Sequence, residues 1–190
     1  MRIVGGTWRG RALEAPDGRG TRPTTDRTRE AIASMVLSAQ GLDLSGCTVL
    51  DAFAGSGGVG LELLSRGARS CTFCERDRRA AAVVRRNCAQ VAGTKTEWRV
   101  QAGDVLKRVG SIPGGPFSVV FLDPPYAMPA TEVAGFVDGL WEAGQLERGC
   151  LVVYERAAGS PTLELENGEA LRSRTHGGTS IDLMRMGGAS

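Results

Sequence analysis

The sequence predicts an α/β protein: a mostly parallel, seven-stranded sheet covered on both faces and ending on an antiparallel hairpin. Three observations predict it. Between residues 47 and 155, five apolar β-rich runs alternate with segments of helical period. A glycine-rich stretch stands between the first run and the first helix that follows it. Two further β-type runs near the carboxyl end flank "GG" with no helix between them, which is a hairpin pattern. A chain of 190 residues fits one domain with a small appendage, and residues 1–40 and 41–190 are the expected division.

The appendage comes first. "RIVGG" and "RGRAL" can pair as a short hairpin. "RPTTDRTREAIASMVLSAQ" then reads as a helix, with Thr24 and Thr25 as cap candidates and Ile32, Met35, Val36 and Ala39 at helical spacing. In the main domain "CTVLDAF" (47–53) is the first strand, and "VGLELLSRG" is a helix stopped by Gly67. "SCTFCE" (70–75) is the second strand. Asp77 caps the next helix, whose stripe is Ala80, Val83, Val84, Asn87, Cys88 and Val91.

"TEWRVQ" (96–101) is the third strand, and "FSVVFL" (117–122) the fourth, apolar enough for burial on both faces. Val133, Phe136, Val137, Leu140 and Trp141 mark a helix with one buried side. "CLVVYE" (150–155) is the fifth strand, and "LRSRTH" with "SIDLMRM" forms the closing hairpin.

Composition narrows the setting. With 42% hydrophobic and 23% charged residues, this is an ordinary globular chain. It shows no signal-peptide core and no apolar run of membrane-spanning length, so a cytoplasmic location is expected. Cys47, Cys71, Cys74, Cys88 and Cys150 lie scattered in apolar segments and read as buried thiols. Cys71 and Cys74 form a CxxC, but three residues apart on a strand they point to opposite faces. His176 is the only histidine, so no zinc ligand set is expected. Residues 1–30 hold seven arginines against four acids, although the whole chain carries only +2. A basic amino end with Arg22, Arg27 and Arg29 at the start of its helix suits phosphate binding.

"DAFAGSGGVG" carries G-x-G-x-x-G at Gly55, Gly57 and Gly60. That pattern serves dinucleotides and S-adenosylmethionine alike. Asp51 ends the strand before it, Glu75 ends the second strand, and Asp104 follows the third. Three carboxylates at neighbouring strand ends suit a ligand with hydroxyls, an amino group and a cationic centre. They suit a pyrophosphate badly, which favours the sulfonium ligand.

"DAFAGSGGVGLELLSRGA", "CERDRRA", "AGDVL" and "VFLDPPY", in that order, resemble the motifs of Rossmann-like, class I S-adenosylmethionine-dependent methyltransferases that modify an exocyclic amine. "RIVGGTWRGRAL" and "RPTTDRTREAI" resemble the signature of the RsmD family, the 16S ribosomal RNA guanine-N2 methyltransferases acting on guanine 966. The resemblance runs from Arg2 to about Met186, with one departure at "THGGTSIDL", where an aromatic residue is expected near His176.

The resemblance implies an enzyme that uses S-adenosylmethionine and no metal, on 16S rRNA within a 30S subunit or assembly intermediate; a monomer is the default expectation. It implies cofactor contacts from Asp51, Phe53, Ala54, Gly55, Ser56, Gly57, Glu75, Arg76, Asp104, Val105 and Asp123. Catalysis falls to Asp123, Pro124, Pro125 and Tyr126, and RNA binding to Arg2, Arg9, Arg11, Arg22, Thr24, Arg27 and Arg29.

The chemistry of "DPPY" follows from its residues. An exocyclic base amine is a poor nucleophile because its lone pair is delocalised into the ring. If the Asp123 carboxylate and the Pro124 carbonyl each accept one N–H, the lone pair is freed to face the methyl donor. The prolines fix φ and hold the carbonyl in an extended loop. Tyr126 can stack on a base turned out of its helix. An adenine-N6 methyltransferase of DNA shares so similar a motif that "DPPY" alone leaves it open, and a dinucleotide enzyme is a third reading of the glycine loop.

Overall fold

The computed structural model describes residues 1–16, 25–94 and 96–188. Arg22 and Thr24, among the expected RNA contacts, lie outside the described residues. Seven strands form one sheet: β1 (Thr48–Asp51), β2 (Ser70–Glu75), β3 (Glu97–Ala102), β4 (Phe117–Leu122), β5 (Leu146–Ala157), β6 (Gly168–His176) and β7 (Thr179–Met186). Their order across the sheet is β3-β2-β1-β4-β5-β7-β6. β1 to β5 pair in parallel, while β7 runs antiparallel to both β5 and β6. The sheet is therefore the predicted one, a Rossmann-like class I methyltransferase sheet. Chain order reverses between β1 and β4, and an α/β sheet opens its ligand crevice beyond the carboxyl ends of the strands at such a point.

Among the described residues four α-helices accompany the sheet: α1 (Asp26–Ala39), α2 (Gly58–Ser65), α3 (Arg78–Val91) and α4 (Ala130–Glu142). Thr25 caps α1 by accepting the Thr28 N–H, and the Asp77 carboxylate caps α3 by accepting from Arg79 and Ala80. No helix among the described residues is long and apolar enough to cross a membrane.

Apolar side chains fill two clusters, one on each face of the sheet. Ile3, Ile32, Leu61, Phe73 and Val84 belong to one; Leu50, Val120, Val137, Leu140 and Met186 belong to the other. Cys71 lies in the first and Cys74 in the second, as strand geometry requires, and both are buried thiols. Along β1 and β4 every residue is buried, because helices cover both faces of these central parallel strands.

The amino end is bound into this core. Its hairpin closes through the Arg2–Ala12 bridge, with Ile3 N–H donating to Arg11 and Gly10 N–H to Ile3. The buried Glu62 of α2 accepts from the backbone N–H groups of Val4 and Gly5, both at 2.8 Å. Ser65 Oγ accepts the Trp8 N–H and donates to the Gly5 carbonyl.

Beyond shifts of up to three residues at other strand ends, two segments differ from the sequence reading. β5 begins at Leu146 rather than Cys150. Glu147, Arg148 and Gly149 carry no apolar signal, yet Leu146 pairs with Phe117 ahead of a register shift. The crossover from β3 to β4 holds only a 3-10 turn, Val105–Arg108, started by Asp104 accepting the Leu106 N–H.

Candidate functional site

At the carboxyl ends of the strands lies a cleft of about 980 Å3. Its floor is a row of carboxylates, one per strand end: Asp104 after β3, Glu75 on β2, Asp51 on β1, Asp123 after β4 and Glu155 on β5. Parallel pairing produces the row, since Asp51 is level with Phe73 and Phe121, and Leu122 with Tyr154. An apolar strand that ends in an acid therefore delivers that acid to the same edge as its neighbour.

Asp51 is buried, and its Oδ2 accepts the Gly60 N–H at 3.1 Å, while Oδ1 has no partner. Burial pushes its carboxyl up to about 7; the Gly60 bond opposes this, and the charges of Asp123 and Glu75 add to it. Glu75 is held at both oxygens: Oε2 accepts the Gly55 N–H and Oε1 the Asp77 N–H, each at 2.8 Å. Burial and then the Asp123 charge push Glu155 up to about 8, and its Oε2 has no partner.

The glycine loop fits a ligand above it. Gly55 has φ +55, and a Cβ placed there would meet nothing within 4 Å, so its backbone is open to the cleft. Gly60 serves packing instead: a Cβ there would stand 2.3 Å from the Phe73 ring, so α2 reaches the sheet only without one. The Ser56 carbonyl is held from behind by Asn87, whose Nδ2 donates to it at 2.9 Å. Asn87 is fully buried, also donates to the Glu14 carbonyl, and accepts the Glu14 N–H. One side chain thus ties the glycine loop to the amino-terminal segment.

Of the residues expected to meet the cofactor, Asp51, Phe53, Ala54, Gly55, Ser56, Glu75, Arg76, Asp104, Val105 and Asp123 line the cleft. Gly57 does not; at φ +79 it starts α2, facing Val84 and Phe73. Asp123, Pro124, Pro125 and Tyr126 line it too, and Tyr126 is 58% exposed. An unpartnered buried oxygen on Asp51, an open glycine backbone and neighbouring acids form a donor set for a cationic, hydroxyl-bearing ligand, and S-adenosylmethionine fits it. Among the described residues no cluster of His, Cys, Asp and Glu could hold a metal ion.

The arginines divide. Arg27 is exposed and lines the cleft, while Arg2 and Arg9 are exposed on the hairpin. Arg11 is exposed, but its Nη1 donates to the Val91 carbonyl at the end of α3. Arg29 departs from the expected surface cluster: its side chain is 1% exposed and donates to the Arg2 carbonyl and the Asp26 carboxylate. It faces the cleft from within the packing, because the i, i+3 pair with Asp26 and the hairpin close over it.

Three polar contributors escaped the sequence reading: Glu155, Asn87 as a tie, and the His176 ring, whose buried Nε2 has no partner at the cleft wall. Glu155 had a signal of the same kind as Asp123, an acid closing an apolar run.

Comparison with known proteins supplies the family. The model of Conserved hypothetical protein 95 matches residues 1–185. The Ribosomal RNA small subunit methyltransferase D of Haemophilus influenzae is 34% identical over 186 residues, covering 96% of this chain and 92% of that protein. Its Escherichia coli K12 namesake is 37% identical over 173 residues, 88% of this chain and 77% of that one. A solved structure of a candidate methyltransferase from Escherichia coli superposes with TM-score 0.79 at 31% identity, covering 98% and 97% of the two chains. The magnesium protoporphyrin IX methyltransferase of Synechocystis, solved with bound S-adenosylmethionine, shares the fold at TM-score 0.65 and 17% identity, over 89% of this chain and 86% of that one. Matched by that family model from its first residue and aligned over nearly its whole length with proteins of that name, the chain belongs to the RsmD family.

Proposed function

We propose that the protein is a small-subunit ribosomal RNA methyltransferase that transfers a methyl group from S-adenosylmethionine to the exocyclic N2 amine of a guanine in 16S rRNA, of the position-966 type. The observation that carries the reading is the Asp123-Pro124-Pro125-Tyr126 loop, which lines the cleft and sets Asp123 in the carboxylate row between Asp51 and Glu155. The name of the relatives supplies the small-subunit rRNA. The choice of guanine N2 rests on the resemblance of the amino end.

Asp51, Glu75 and Asp104, with the backbone of Phe53 to Ser56, would hold the cofactor. When bound, S-adenosylmethionine supplies an electrophilic methyl group on a sulfonium centre. Asp123 and the Pro124 carbonyl each accept a hydrogen bond from one amine N–H and turn the nitrogen lone pair toward that centre, a matter of proximity and orientation. The Asp123 carboxylate is placed to receive the proton released after transfer. Tyr126 stacks on the extruded base, worth ~1–3 kcal/mol, and offsets the stacking lost in the RNA. Arg2, Arg9 and Arg27 meet phosphates around it, and the residues 1–40 form the RNA-binding extension of the methyltransferase domain.

The test is transfer of labelled methyl to 30S particles and assembly intermediates from a strain lacking the gene, followed by digestion to nucleosides. N2-methylguanosine is the expected product. Methylated adenine, or no incorporation by folded protein at any assembly stage, would overturn the reading.

A further inference from the structure

Glu155 has no task in the mechanism above, yet it is 94% removed from solvent, lines the cleft, and leaves Oε2 without a hydrogen-bond partner. A buried carboxyl without a partner is costly, and the cost is relieved when a ligand satisfies it. Its place is specific. β5 lies beside β4, and the pairing of Leu122 with Tyr154 sets Asp123 and Glu155 side by side at adjacent strand ends. Neighbouring strands are roughly 4.8 Å apart. The cofactor acids Asp51, Glu75 and Asp104 all lie on the opposite side of Asp123, toward β1, β2 and β3. Glu155 therefore flanks the target amine from the side away from the cofactor.

We propose that Glu155 reads the Watson–Crick edge of the target base, pairing with the N1–H and O6 of a guanine whose N2 amine is held at Asp123. This rests on the reading of guanine N2 as the methylated group. Along that edge guanine presents its amine, then a donor, then an acceptor. A neutral carboxyl matches the last two: its carbonyl accepts N1–H, and its O–H donates to O6. Burial and the Asp123 charge keep Glu155 protonated to about 8, so it has that O–H at neutral pH. Adenine held by its N6 amine presents an acceptor and then a C–H, which leaves one carboxyl oxygen unmatched. A site that hydrogen-bonds a substrate group discriminates strongly against analogues lacking it.

The experiment uses the full chain and 30S particles carrying either guanine or 2-aminopurine at the nucleotide that the wild-type enzyme methylates. 2-Aminopurine keeps the N2 amine but has neither N1–H nor O6. Wild type is expected to prefer guanine by ~10- to 100-fold in kcat/KM, the discrimination of a good base-edge pair. Glu155→Leu should lose that preference, its rate on guanine falling far more than its rate on 2-aminopurine. Glu155→Gln, whose amide offers the same acceptor and donor, should restore most of it. Stabilisation of each variant by S-adenosylhomocysteine in a thermal melt verifies folding. If wild type shows no preference, or Glu155→Leu loses both substrates equally, the inference falls while guanine methylation stands. If wild type marks no guanine amine at all, the proposed function falls first and takes this inference with it.

Discussion

The two flanks of Asp123 are built differently. Toward β1, β2 and β3 the acids are anchored by backbone N–H groups: Glu75 by Gly55 and Asp77, Asp51 by Gly60, and Asp104 by Leu106. Toward β5 and the β6–β7 hairpin, Glu155 Oε2 and His176 Nε2 are buried without partners. On the first flank each acid has at least one anchoring bond, although Asp51 Oδ1 is buried without a partner; on the second, Glu155 Oε2 and His176 Nε2 are still to be satisfied. A small ligand of constant shape rewards the first arrangement, and a base brought in by a large RNA is suited to the second, since its own edge completes the bonds.

The comparison breaks most sharply at its boundary. Asp123→Ala should lower turnover by ~100-fold or more, because an amine misplaced relative to the methyl group loses the benefit of orientation. Its S-adenosylhomocysteine affinity should change little, whereas Asp51→Ala should weaken that affinity markedly. Isothermal titration beside methyl transfer separates the two. Equal loss of binding and turnover in Asp123→Ala would place that residue on the cofactor flank.

Next in size is a pH effect on stability. Asp51 rises from 3.8 to about 7 and Glu155 from 4.5 to about 8, in both cases chiefly through burial. The unfolded chain releases these protons near the ordinary values, while the folded chain keeps them, so between about pH 4 and 8 the folded state binds more protons. Stability from these two groups is therefore full below about pH 4 and is lost as pH rises through the folded values. Asp182 works in the opposite direction: burial raises it, but bonds from Arg156, Ser173 and Thr162 outweigh this and hold it low. Chemical denaturation from pH 5 to 8.5 should show the decline, and Asp51→Asn with Glu155→Gln should flatten it. An unchanged slope would mean that neither acid is protonated in the folded protein.

Much of this was legible beforehand. The bounds of β2 and β4 coincide with "SCTFCE" and "FSVVFL", because both are short β-type runs without a charge until their carboxyl ends, where Glu75 closes the first and Asp123 follows the second. The acids at those ends were equally readable. Glu155 was not, since an acid closing "CLVVYE" looks the same whether it is solvated or buried; only the packing of β7 and the hairpin against β5 decides it. Asn87 was read as one member of an apolar helical stripe, and burial there is what the stripe predicts. That its amide joins Ser56 to Glu14 depends on contacts 31 and 73 residues away, which no local pattern encodes.

Asn87 gives the smallest expected effect and sharpens the anchored flank. Its side chain makes three hydrogen bonds, with the Glu14 N–H, the Glu14 carbonyl and the Ser56 carbonyl. Asn87→Ala removes all three bonds and leaves their part-buried backbone groups unmatched, a cost of ~1–3 kcal/mol. If the tie only stabilises the fold, melting falls and S-adenosylhomocysteine affinity at 20 °C is unchanged. If it also holds the glycine loop in its ligand-ready form, affinity falls as well, by ~3- to 10-fold, the upper figure corresponding to about 1.4 kcal/mol. The second outcome is expected, because the Ser56 carbonyl belongs to the loop whose Gly55 backbone opens onto the cleft, and loosening one end of so short a turn loosens the other.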